Sequence, residues 1–297
     1  MGWRYEGLFE AELHPETEDL SRFWRTEPSM IPVGKMGYRR RTTIAGQRLE
    51  CEIYPVFGRE DERKARAAKR NQTKEAQKRV NRRRAEQRIV QLADANFGEE
   101  DIELTLTYRN TWQPDFDRCQ KDVRNFLLRI KRYREKHGME PLRYIYCIEG
   151  GQEKKRGFGT TKFHCHMMMN GGVDREILEE IWEFGYANTR RLQPDEDWGL
   201  EQLAKYMIKE SKQGGRRRFC ASRNLKPPKT RKIDAQASNR TVKAIARDIR
   251  NEAKIEMEKL YKGYRFVQCT VFYSDQLDGV YIRVVMRKEN EKRRRKR

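Results

Sequence analysis

Residues 160–172 read TTKFHCHMMMNGG. The apolar run from Phe163 to Met169, closed by Gly171-Gly172, predicts a β-strand, and the strand reading fixes where its polar side chains go. Successive side chains on a strand point to opposite faces. His164 and His166 therefore share one face and Cys165 points to the other. The whole chain has only four histidines, so two of them on one strand face form a feature that needs a chemical reason.

The preceding stretch LRYIYCIE, 142–149, reads as a second strand that ends in Glu149, and the Gly- and Lys-rich loop GGQEKKRGFGTT joins the two. If the strands pair antiparallel across this loop, Glu149 reaches the face of the histidines. Two imidazoles and one carboxylate with open positions suit a catalytic divalent ion. Two other readings stay open on these residues alone. The histidines could be satisfied core residues, since a buried imidazole needs a polar partner. Cys147, on the face of Glu149, could join His164 and His166 in a structural zinc site. His14 and His137 lack such company and read as surface residues.

Working outward, IELTLTY at 102–108 alternates and reads as a strand. Residues 115–137 read as an amphipathic helix with Val123, Phe126, Leu127 and Ile130 at spacings of three and four, stopped by Gly138. Asp174 is placed to cap the helix DREILEEIWEFG, and residues 186–192 read as a short strand. Residues 198–210 form another helix with the stripe Leu200, Leu203, Ala204, Met207 and Ile208. At about 100° per residue, Tyr206 falls beside that stripe, and Lys209 lies on the same flank. Tyr206 thus reads as a boundary residue with its hydroxyl free to meet a substrate and a cation next to it. A metal that polarises a phosphate, a tyrosine that attacks it and a cation that neutralises it together suit phosphoryl transfer.

Composition supplies the partner. The 297-residue chain carries a formal net charge of +21, with 37% charged residues, and such a charge attracts polyanions, nucleic acid first. No hydrophobic run approaches the roughly 20 residues of a spanning helix, and the N-terminus MGWRYEGLFEAELHPE lacks the pattern of a signal peptide. Cysteines at 51, 119, 147, 165, 220 and 269 form no CxxC pair, which argues against a disulfide framework and for a reduced, cytoplasmic protein. No Walker A loop appears, so no nucleotide cofactor is expected and unwinding falls to a partner. A hairpin is expected around Gly46 in RRRTTIAGQRLECEIYPVF. One long helix is expected over 59–92, with Glu60, Asp61 and Glu62 near its start; it reads equally as a solvated helix or a phosphate-binding arm. The loop SKQGGRRRFCASRNLKPPKTRK offers Arg216, Arg217 and Arg218 as DNA-binding candidates. A helix over about 240–261 and a hairpin around SDQLDG follow, and then a basic tail.

Taken in order, LTLTY (104–108), IEGG with Glu149, FHCHMMM and YMIKE (206–210) resemble the motifs of the HUH single-strand endonucleases, and within them the rolling-circle replication initiators of bacterial phages, plasmids and mobile elements. SRNLKPPK and NRRRAEQRIVQLADANF look like segments of the same group. The resemblance covers about residues 80–230. It implies an α+β fold, a central antiparallel sheet flanked by helices, with a basic helical N-terminal arm and a C-terminal helix plus hairpin. It implies regions of 1–95, 96–230 for the nicking domain, 231–288, and a tail of 289–297. It also implies Mg²⁺ or Mn²⁺ on Glu149, His164 and His166, and Tyr206 as the nucleophile beside Lys209. The expected activity is nicking of single-stranded origin DNA, leaving a 5′-phosphotyrosyl link and a free 3′-OH for a host polymerase. A host helicase would be needed, in the cytoplasm of a bacterial host. A relaxase or transposase of the same chemistry and a non-catalytic basic DNA-binding protein are the alternatives. The chain departs from the family pattern in Cys165 between the histidines and in its single tyrosine in the YxxK motif.

Overall fold

The computed structural model describes residues 14–15, 37–56, 74–151, 161–209, 218–273 and 280–289. Its elements run β1 (His14–Pro15), β2 (Tyr38–Ala45), β3 (Arg48–Pro55), α1 (Lys74–Asn96), β4 (Ile102–Tyr108), α2 (Phe116–Lys136), β5 (Tyr144–Glu149) and β6 (His164–Met169). Then follow α3 (Arg175–Ile181), β7 (Gly185–Arg191), α4 (Glu201–Lys209), β8 (Cys220–Ala221), β9 (Lys229–Ala237), α5 (Asn239–Arg247), α6 (Asn251–Leu260), β10 (Tyr264–Tyr273) and β11 (Val280–Lys288). The fold is α+β with antiparallel sheets, as expected. The chain divides into two compact units, one of residues 85–227 and one that joins residues 1–84 to 228–297.

The unit of residues 85–227 is built on a five-stranded antiparallel sheet in the order β7-β4-β6-β5-β8. Alternation along β4 sends Leu104, Leu106 and Tyr108 to one face. There α2 lays its apolar stripe of Cys119, Val123, Phe126, Leu127 and Ile130 against them and against Cys165 and Met167. Asp115 starts α2 by accepting a hydrogen bond from the Arg118 backbone N–H at 2.8 Å, which satisfies one of the N–H groups a helix start leaves unpaired. On the other face, Ile89, Val90 and Ala93 of α1 and Ala204, Met207 and Ile208 of α4 cover Ile145, Cys147 and Met168. The three consecutive methionines are thus explained: β6 is central and buried on both faces, so no position from Cys165 to Met169 faces water.

Trp182 closes the α2 side. It is 1% exposed, meets Tyr108, Phe126 and Phe184 at ring-centroid distances of 5.2, 5.8 and 5.3 Å, and donates from Nε1 to the Thr107 carbonyl at 2.9 Å. The edge strand β7 is thereby fixed to β4.

The second unit is a six-stranded sheet in the order β1-β10-β11-β3-β2-β9. The expected hairpin around Gly46 is present as β2 and β3, and Gly46 adopts φ 58°, a value that glycine reaches without steric cost. α5 and α6 bury Val242, Ile245, Ala246, Ala253 and Met257 against Leu49, Cys51, Ile53, Ile282 and Val284. The expected single helix over 240–261 is two helices. Asp248 breaks it, because its carboxylate accepts from the Arg250 and Asn251 backbone N–H groups at 3.1 and 2.8 Å and so restarts the helix. β3 pairs with β11, and β2 with β9, so stretches far apart in the chain share one sheet. The helix expected from residue 59 is described from Lys74; Glu60, Asp61 and Glu62, the turn SDQLDG and the tail beyond Glu289 lie outside the described residues.

Truncation of Trp182 removes both its packing and its hydrogen bond. We expect Trp182→Ala to lower unfolding free energy by about 3–5 kcal/mol, measured by urea denaturation. A loss below about 1 kcal/mol would contradict its central place in this core.

Candidate metal centre and adjacent tyrosine

β5 and β6 pair in a register that sets Glu149 opposite His164 and Cys147 opposite His166. Opposite residues of an antiparallel pair share a face. The Glu149 Oε2 atom consequently lies 3.5 Å from His164 Nε2 and 3.6 Å from His166 Nε2. The ligand atoms of these three residues all fall within 4.8 Å of one another. They are the one such group among the described residues. Two metal–ligand bonds of about 2.1 Å span at most about 4.2 Å, so both nitrogen–oxygen separations are within reach of a single ion.

Gly150 makes this approach feasible. Its φ is 128°, and a Cβ there would stand 2.6 Å from the Lys162 carbonyl oxygen and from Phe163 Cα. Only glycine lets the end of β5 close so tightly on the start of β6, and Gly151 N–H then donates to the Thr161 carbonyl at 2.7 Å.

The donor atoms fit a cation. Glu149 is 6% exposed and His166 is 6% exposed, yet Glu149 Oε1 and His166 Nε2 are buried without a hydrogen-bond partner. A buried polar atom left unpaired costs free energy, and a bound divalent ion would satisfy both at once. The far side of each imidazole is held. His164 Nδ1 donates to the Lys162 carbonyl at 3.1 Å, which leaves Nε2 to face Glu149. His166 Nδ1 lies 3.1 Å from Thr105 Oγ1, because β4 pairs with β6 so that Thr105 stands opposite His166. Burial, with the charge of neighbouring His164 adding to it and Glu149 opposing, pulls His166 below its ordinary value of 6.5. The ring is therefore neutral near neutral pH, the form that ligates metal. Cys147 is outside the cluster. Burial first, and then the Glu149 charge, pushes its thiol up, which makes it a poor thiolate donor.

Tyr206 stands next to this group. Its ring centroid is 5.3 Å from that of His166, at 70° between the planes. α4 buries Ala204, Met207 and Ile208, so Tyr206 is left on the flank and is 55% exposed. Lys209, also exposed, closes the last turn of α4. Lys205 is bound to Glu201 on the same helix. Arg218 is half-buried two residues before β8, with its Nη1 buried and without a hydrogen-bond partner; Arg216 and Arg217 lie outside the described residues. His137 is exposed and stacked on Tyr133. Thr105 was missed as a site residue: the sequence places it on a strand, but only the strand order puts that strand next to β6.

Residues 101–211 match the family model of the replication-associated protein ORF2/G2P. The matched span runs from the start of β4 to just beyond α4 and so contains the Glu-His-His group, Tyr206 and Lys209. No curated protein and no solved structure matches the chain.

Calorimetric titration with Mn²⁺ should give one site per chain, lost in Glu149→Gln and in His166→Ala. Partners that orient a ligating histidine are worth about 10–100-fold in metal affinity. Thr105→Val should therefore weaken Mn²⁺ binding by about tenfold, and Thr105→Ser should restore it. Equal affinity in Thr105→Val and the parent protein would remove Thr105 from the site.

Proposed function

We propose that this chain is a replication initiator that nicks single-stranded origin DNA through Tyr206. The observation that carries the reading is the contact of an exposed tyrosine ring with His166, in a Glu-His-His group where Glu149 Oε1 and His166 Nε2 are buried without a hydrogen-bond partner. The match of residues 101–211 to replication-associated proteins supports the same class, and the net charge of +21 supports a polyanionic substrate.

Glu149, His164 and His166 would hold Mg²⁺ or Mn²⁺, which supplies Lewis-acid polarisation of a phosphate. Tyr206 gives up its phenolic proton and its Oη attacks phosphorus. The bond from phosphorus to the 3′-oxygen breaks, and that oxygen takes up a proton to leave as a 3′-OH. The 5′ side stays on the enzyme as a phosphotyrosyl ester. Lys209, one turn along from Tyr206, neutralises charge on the phosphate oxygens. The ester keeps the energy of the original phosphodiester, so a second 3′-OH can reverse the step and join strands. The free 3′-OH is the primer for a host polymerase in the bacterial cytoplasm, and strand separation falls to a host helicase. The flank position of Tyr206 serves the mechanism: the hydrophobic stripe anchors the helix while the hydroxyl stays open to a strand of DNA.

The test is a covalent adduct. Incubated with Mn²⁺ and single-stranded DNA of its own replicon, the protein should shift on a denaturing gel. Tyr206→Phe and EDTA should each abolish the shifted band, and Lys209→Ala should slow its appearance on the order of 10²-fold. DNA binding without any adduct on either strand of the replicon would leave a non-catalytic binding protein.

A further inference from the structure

Among the described residues, helices cover only half the width of the sheet face that carries the Glu-His-His group. α1 and α4 bury Ile145, Cys147 and Met168 on β5 and β6. On the other side of β6 the same face continues across β4 to the edge strand β7. The register defines rows of side chains there. His164 stands opposite Thr107, and Thr107 opposite Tyr186; His166 stands opposite Thr105, and Thr105 opposite Asn188. Arg190 closes the next row, opposite Glu103. Tyr186, Asn188 and Arg190 are exposed, whereas Ala187 between them is buried on the opposite face.

Tyr186 is 74% exposed, more than any other large apolar or aromatic side chain among the described residues. Nothing described stacks on its ring. Its backbone, by contrast, is firmly held. A Cβ on Gly185 would stand 2.0 Å from the Thr107 carbonyl oxygen, so glycine permits β7 to close on β4 at this point. Thr107 Oγ1 donates to the Tyr186 carbonyl at 3.4 Å, and Trp182 holds the Thr107 carbonyl from below. The result is an open aromatic ring on a rigid strand, in the row of His164, two interstrand spacings or about 10 Å away.

We propose that Tyr186, with Asn188 and Arg190 beside it, is the platform on which single-stranded DNA lies next to the metal group, with Tyr186 stacking a base close to the scissile phosphate. The proposal rests on the nicking reading and adds the strand's path to it. An aromatic ring offers any base a π-face, and one such stack is a large share of single-strand affinity. Arg190 supplies a cation for the backbone and Asn188 a donor and an acceptor for a base edge. The exposed polar residues also blunt the β7 edge against pairing with another chain, but an edge needs charge for that purpose and gains nothing from a bare tyrosine ring.

The experiment is fluorescence anisotropy of fluorescein-labelled oligothymidylate with the full chain in EDTA, across a salt series. Tyr186→Ala should weaken binding about tenfold, Tyr186→Phe should bind as the parent does, and neither should change the slope of log affinity against log salt. Arg190→Ala should reduce that slope by about one. Mn²⁺ binding should be unaltered in all three. Parent-like binding by Tyr186→Ala overturns the platform even when the covalent adduct forms. Weakened binding by Tyr186→Ala in a protein that forms no adduct keeps the platform and removes the nicking reading. A parent protein that does not bind the oligonucleotide overturns both.

Discussion

The antiparallel pairing of β5 with β6 is the constraint on which the site depends. Glu149 and His164 meet because they are partners in that ladder, and His166 joins them because side chains two residues apart share a face. A slip of one residue would turn every side chain of β6 to the other face. Packing forbids the slip. Cys165 and Met167 are locked among α2 residues on one side, and Met168 among α1 and α4 residues on the other. The methionines, which carry no chemistry, thus hold the register that the histidines need.

The same pairing creates a conflict between stability and function. A carboxylate and two imidazoles are held together at the end of a buried strand, and two of their polar atoms have no partner. Core residues of native proteins rarely tolerate this, and an apolar replacement would relieve it. The arrangement is a local violation of the rules by which the rest of the sheet is built, and such violations collect at functional sites. Gly150 and Gly185 belong to the same account. Each permits a backbone approach that a Cβ would prevent, one at Glu149 and the other at Tyr186, on the two sides of the same sheet face.

Much of this was legible in the sequence, for physical reasons that can be named. The shared face of His164 and His166 follows from a period of two, and Glu149 reaches them across a local connection. Tyr206 could be placed on the flank of α4 because its apolar neighbours repeat at helical spacing. What could not be read depends on strand order. Nothing in IELTLTY says that it lies between β6 and β7, so neither the contact of Thr105 with His166 nor the row from His164 to Tyr186 was visible. The sheet that joins β2 and β3 to β9, β10 and β11 was hidden for the same reason, since long-range pairing leaves no periodicity. The break at Asp248 was missed because a side-chain cap can interrupt a helix whose composition favours continuation.

The two faces of α4 then explain how a small helix can hold an exposed tyrosine beside the Glu-His-His group without losing its position. Met207 is 0% exposed and Ile208 1%, and they follow Tyr206 directly in the chain. Any movement of the tyrosine backbone must pull these side chains out of a close-packed core, which resists displacement. The ring itself lies outside that core and faces water. Anchoring and exposure are thus assigned to adjacent residues on one turn of helix. Beside the ring, Glu149 and His166 are buried and His164 is half-buried, so water meets the Glu-His-His group at His164 while the packed side holds its position.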